Sequence, residues 1–117
     1  MAALINWRET WEQAKQEAQQ QKRPLVLEFY MDGCPHCARL ARETHTDPAV
    51  ATALNTRFIP VRLEGRHHLD LVQKLGVRGA PTTLIFSPEG AELHRFAGFL
   101  NPPEYLKELE PFGAGAA

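Results

Sequence analysis

The 117-residue sequence contains only two cysteines, no long apolar run and almost no net charge. Each scarcity removes a class of protein. Thirteen Lys and Arg against fourteen Asp and Glu leave a formal charge of −1, too balanced for the one-signed surface that nucleic acid or an anionic membrane would require. No stretch approaches the roughly 18 apolar residues of a membrane span. The first twenty residues have neither a basic leading segment nor an apolar core, so no signal peptide is expected, and the sequence as written implies the cytoplasm. Two cysteines cannot supply a four-thiolate zinc site, and they leave none over for a disulfide framework. Cysteine here serves chemistry rather than stability. No repeat or linker divides the chain, so residues 1–112 are expected to form one domain and 113–117 a disordered tail.

Both cysteines fall in one segment, Leu25-Val26-Leu27-Glu28-Phe29-Tyr30-Met31-Asp32-Gly33-Cys34-Pro35-His36-Cys37. Leu25 to Tyr30 has the length of one strand and is too short for a capped helix; it carries a single acid, Glu28, in its middle. Asp32-Gly33 reads as a turn, and helical spacing begins at Cys34. Residues three apart on a helix share a face, so Cys34 and Cys37 can close a small disulfide ring. At a helix N-terminus the unpaired N–H groups and the helix dipole favour a thiolate at Cys34. Pro35 suits the first turn, where its missing N–H is not needed. Thiols so placed titrate at roughly 3.5–7.5 instead of about 8.5. His36 can add a charge or a hydrogen bond; the bland alternative is a solvated loop histidine. Cys37, one turn in and more buried, is expected to keep the higher pKa. A strand that delivers two cysteines to the first turn of a helix is the pattern of a thiol–disulfide redox site, against the alternative of two inert buried thiols.

The remaining elements follow from periodicity and punctuation. Asn6-Trp7-Arg8-Glu9 reads as a capping box opening an amphipathic helix over 7–20, with Trp7, Trp11, Ala14 and Ala18 on its inner face. Asp47-Pro48 starts a short helix running to about Leu54. Residues 57–63 alternate as a strand with Ile59, Val61 and Leu63 on one face, and Pro60 puts that strand at a sheet edge. Residues 67–75 have helical spacing ended by Gly76. Residues 82–87 and 91–97 form a hairpin across Ser87-Pro88-Glu89-Gly90. Asn101-Pro102 starts a last helix with Tyr105, Leu106 and Leu109 inward. His45, His67, His68 and His94 show no ligand spacing with the cysteines and are expected at the surface. The expected class is α/β: a four-stranded mixed sheet in the spatial order 57–63, 25–30, 82–87, 91–97, flanked by helices.

With these residues in place, the sequence resembles the thioredoxin superfamily over nearly its whole length. The resemblance rests on Cys34-Pro35-His36-Cys37 after a strand, on Glu28 within that strand, on Val77-Arg78-Gly79-Ala80-Pro81-Thr82, and on Gly98. It implies a thiol–disulfide oxidoreductase in which Cys34 attacks and Cys37 resolves. It implies a cis Pro81 holding the Ala80 backbone beside Cys34, with Gly33, Ala80, Pro81 and Thr82 forming the substrate lip. Glu28 becomes the buried acid that takes the proton of Cys37; unpaired in an apolar strand, its pKa should be raised. The alternative is a Glu28 that reaches the sheet edge and solvent. Arg62 aligns with a lysine near that acid and is left outside the site. The Pro-His dipeptide and Val26-Leu27-Glu28-Phe29 resemble the DsbA family, whereas the segment Cys37–Pro81 is too short for that family's helical insert. Thr46 to Val50 resembles small bacterial thioredoxin-like proteins and the C-terminal domain of DsbD.

The resemblance implies disulfide-containing protein substrates, a redox partner that recycles the dithiol, a monomer, and no cofactor or metal beyond the dithiol itself. A reducing role is slightly preferred. The alternatives are a disulfide-donating oxidase or isomerase of the cell envelope, reached through a leader since removed, or a non-enzymatic module that senses metal or redox state.

Overall fold

The computed structural model describes residues 4–113. A central sheet is built from β1 (Leu25–Tyr30), β2 (Ile59–Glu64), β3 (Thr82–Phe86) and β4 (Glu92–Ala97), in the order β2-β1-β3-β4. β1 and β2 run parallel, with Leu25 opposite Ile59 and Glu28 opposite Arg62. β3 is antiparallel to β1, and β4 to β3. The order and mixed sense are those expected of the sequence. Pro60 lies on the edge strand, where its missing N–H costs the ladder nothing.

Strand parity divides the core. Leu25, Leu27 and Phe29 face one side with Ile59, Val61 and Leu63, packed under Ala14 and Ala18 of helix α1 (Trp11–Gln21). Short helix α4 (Leu69–Lys74) closes the same side through Leu71 and Val72. Val26 and Ile85 face the other side, against Leu40 of α2 (Pro35–Glu43), Val50 and Leu54 of α3 (Pro48–Arg57), and Tyr105 and Leu109 of α5 (Pro102–Gly113). By the same parity Glu28 points into this second layer, towards α2 and α5.

Four expectations are corrected. The first helix begins at Trp11 with Thr10 as its cap, not at Trp7. Arg8 pairs instead with the outer edge of β2: its N–H donates to the Pro60 carbonyl at 2.9 Å and its guanidinium grips Glu17 at 2.7 Å. That extended pairing holds the backbone out of the helical region. A reciprocal box does occur, but at the last helix, where Asn101 and Glu104 each accept the other's N–H at 2.9 Å. Residues 67–75 are broken: a 3-10 turn at Gly65–His67 precedes α4, because Glu64 accepts the Arg66 N–H and tightens the chain there. α3 runs on to Arg57, which moves the start of β2 to Ile59. Gly113 belongs to α5 rather than to a tail, and residues 114–117 of the expected tail lie outside the described residues.

Asp47 caps α3 by accepting the N–H groups of Ala49 and Val50 at 3.1 and 3.0 Å. Asp47→Ala is expected to lower the unfolding free energy in urea by about 1 kcal/mol. The same variant should leave the reactivity of the two thiols unchanged, since α2 keeps its own cap.

Candidate active site

The site lies where β1 ends. Gly33 takes φ +83°, the left-handed conformation that lets the chain turn from strand into helix without a Cβ clash. The lip before it is held from β2. Glu64, nearly fully buried, accepts the Asp32 N–H at 3.0 Å, while the Arg66 guanidinium bonds both Glu64, at 2.6 Å, and the Asp32 carbonyl, at 3.3 Å. Hydrogen bonds from Arg66 and from the Asp32 N–H hold the Glu64 carboxyl down at about 2.

Cys34 is the N-cap of α2, with Pro35 in the first turn. Its Sγ accepts the Cys37 N–H at 3.2 Å, the helix-terminal geometry that favours negative charge on sulfur. Both cysteines are free thiols; Cys34 is partly exposed and Cys37 buried. Burial, then the hydrogen bond to Cys34, push the Cys37 thiol up to about 11, and the charge of Glu28 adds to that rise. Cys34 and Cys37 therefore stand in the unequal positions expected of them. His36 is exposed, and among the described residues the hydrogen bond on Cys34 Sγ comes from the Cys37 backbone rather than from an imidazole.

The loop before β3 meets the thiol from the opposite side. The Ala80–Pro81 bond is cis, and the Cys34 thiol points at the Ala80 carbonyl across 3.6 Å. Thr82 Oγ1 donates to the Gly79 carbonyl at 2.6 Å, and the Gly98 N–H to the Pro81 carbonyl at 2.8 Å, so both flanks of the loop are pinned. An apolar groove of about 170 Å³ opens beside Ala80, lined by Met31, Leu69, Val72 and Val77.

Beneath the dithiol two expectations fail together. Glu28 has no exposed surface, yet its pKa is lowered, not raised. Burial alone would raise it; attraction and hydrogen bonding to His45, then to Arg62, outweigh that. His45 Nε2 lies 2.8 Å from Glu28 Oε1, and Arg62 Nε donates to Oε2 at 2.8 Å. His45, expected at the surface, is buried. After Glu43 the chain wraps back, with the Thr44 and His45 N–H groups both donating to the Leu40 carbonyl, and this turn throws the imidazole inward. Arg62, left outside the site, belongs in it. It was findable, because it shares the register position and the sheet face of Glu28. His45 carried no such signal.

A family model for a thioredoxin-like domain matches residues 11–113. The chain belongs to that family, within the thioredoxin superfamily of thiol–disulfide oxidoreductases. Among curated relatives, the thiol:disulfide interchange protein DsbD of Yersinia pestis is 33% identical over 98 residues, covering 80% of this chain and 16% of that protein. The chain thus spans about a sixth of the length of the curated relatives it matches. Among solved structures, a thioredoxin from Thermus thermophilus superposes with a TM-score of 0.82 at 26% identity, covering 92% of this chain and 85% of that one. The oxidised C-terminal domain of Neisseria meningitidis DsbD shares the fold, with a TM-score of 0.74 at 20% identity over 91% of this chain and 98% of that one.

Two checks follow. Arg62→Ala leaves a buried carboxylate short of a partner and should cost about 3 kcal/mol in urea unfolding. Glu28 and Glu64 are both held below their ordinary 4.5, so the stability they add is complete above that pH and disappears as the pH falls, for Glu64 towards about 2. A Glu64→Gln variant, with no charge to lose, should show a shallower acid limb when urea midpoints are compared from pH 7 to 3.

Proposed function

We propose that the chain is a thiol–disulfide oxidoreductase acting on protein disulfides, in the reducing direction, with its own dithiol as the only redox group. The observation that carries this reading is Cys34 at the cap of α2, hydrogen-bonded by the Cys37 N–H and facing the Ala80 carbonyl. A substrate segment lying along Ala80 would set a disulfide sulfur against Cys34 Sγ, with the apolar groove beside it taking a neighbouring side chain.

Cys34, as thiolate, attacks one substrate sulfur. A mixed disulfide forms and the other substrate sulfur leaves as thiolate. Cys37 then gives up its proton to Glu28, directly or through a water, and attacks Cys34 Sγ. The Cys34–Cys37 disulfide closes, the second substrate sulfur departs, and two electrons have passed from protein to substrate. A redox partner returns them. Gly33, Ala80, Pro81 and Thr82 serve as the substrate lip, and Pro35 and His36 tune Cys34. The resemblance to the thioredoxin-like domain of DsbD supports the periplasm or cell envelope of a bacterium over the cytoplasm. No helix among the described residues is long and apolar enough to cross a membrane.

A disulfide-donating role is the second reading, and Cys34-Pro35-His36-Cys37 is what favours it: any added stabilisation of the Cys34 thiolate raises the reduction potential. The potential of the pair, measured in a glutathione redox buffer by alkylation and mass, separates the two. A value near thioredoxin's roughly −270 mV is expected; one near DsbA's roughly −120 mV makes the protein an oxidant. Absence of any equilibrium with glutathione overturns both readings. Cys37→Ser should accumulate a mixed disulfide with substrate through Cys34, and Cys34→Ser none.

A further inference from the structure

The proposed reaction leaves a proton to be disposed of. Glu28, which that reaction makes the acceptor of the Cys37 proton, has no contact with solvent. Each of its oxygens is held by one side chain, Oε2 by Arg62 Nε and Oε1 by His45 Nε2, both at 2.8 Å. A guanidinium does not release its proton in proteins, whereas an imidazole exchanges protons readily near neutral pH and carries two nitrogens that can pass one through the ring. The His45 side chain is 8% exposed, so it reaches the surface that Glu28 does not. Trp7 packs edge-on against it with ring centroids 5.0 Å apart, fixing the ring plane. The other groups facing the carboxylate offer no exit. Tyr105 of α5 is fully buried with its hydroxyl pushed well above its ordinary range by that burial, and Cys37 of α2 is the proton's source.

We propose that His45 is the proton outlet of the buried acid: as Cys37 gives its proton to Glu28, the Glu28–His45 pair passes one proton to water through the imidazole. The inference rests on the thiol–disulfide reading above. The balance is one proton in at the carboxylate and one out at the ring, while the electron pair freed on Cys37 sulfur forms the new bond to Cys34. When the disulfide is reduced again the path runs in reverse. His45 touches neither substrate nor the reacting sulfurs, and is a positioning and proton-relay residue.

The test is a single turnover of the full chain with oxidised glutathione between pH 6 and 9, quenched with acid and read by mass. It separates formation of the Cys34–glutathione mixed disulfide from its resolution by Cys37. In the wild type resolution should change less than about threefold across that range, because the acceptor is internal. In His45→Gln, and in His45→Asn, a proton taken up by Glu28 has no way on to water and returns to Cys37. Resolution should then be at least about tenfold slower at pH 7 and rise about tenfold per pH unit, as solvent hydroxide takes over the deprotonation of a thiol far below its pKa. Formation of the mixed disulfide should match the wild type. Folded variants that resolve at the wild-type rate, or that are slower with an unchanged pH profile, overturn the proposal. So does a wild-type resolution rate that itself climbs tenfold per unit, a result that needs no variant to fold. Failure of the wild type to form the mixed disulfide at all overturns the oxidoreductase reading and this inference with it.

Discussion

A carboxylate with no exposed surface sits in the central strand of the sheet and is held in its charged form. Desolvating such a group costs several kcal/mol unless its oxygens are hydrogen-bonded and its charge is met. Here one oxygen meets His45, from the turn after α2, and the other meets Arg62, from β2. The arrangement ties two separate stretches of chain to the middle of β1. It also fixes the floor beneath the dithiol, since Cys37 is carried by the same α2 whose end delivers His45. Around the floor, Trp7 and Tyr105 pack their rings against the imidazole at centroid distances of 5.0 and 6.5 Å. The polar group is thus walled by apolar surface, which strengthens both hydrogen bonds by excluding water.

Above that floor the chemistry depends on chain ends rather than on chain middles. β1 stops, Gly33 turns, and Cys34 becomes the cap of a helix, its sulfur accepting the Cys37 N–H. Opposite, the loop into β3 is pinned by Thr82 and Gly98, which holds the Ala80 carbonyl beside the thiol. Glu64 and Arg66 do the same for the lip at Asp32, from the end of β2. The sheet supplies a rigid frame, and three strand termini converge on one sulfur.

The two cysteines are unequal for reasons of position. Cys34 is partly exposed and receives a backbone N–H; Cys37 is buried one turn further in, with a carboxylate close by. A buried thiol near a negative charge ionises reluctantly, and for that reason the proposed reaction gives the attack to the outer sulfur and the resolution to the inner one. The inner one then needs somewhere for its proton to go. In the proposed reaction it goes to Glu28, whose charge already bears on the Cys37 thiol.

Much of this was legible in the chain itself, because it is written in local pattern. The strand at Leu25–Tyr30, the helix opening at Cys34-Pro35, the edge position of Pro60 and the hairpin of β3 and β4 all follow from periodicity, caps and proline chemistry within a few residues. The misplaced first helix shows where local reading stops: Asn6 to Glu9 has the look of a cap, but pairing of Arg8 with β2, far along the chain, overrides it. Arg62 lay between, recoverable once register and parity were applied to β1 and β2. His45 did not. Whether a buried acid is charged or neutral depends on what stands a few ångströms from it, and those neighbours are brought in by the turn after α2 and by strand pairing. The sequence alone therefore determined the fold and the dithiol; only tertiary packing decided the charge of Glu28 and the company it keeps.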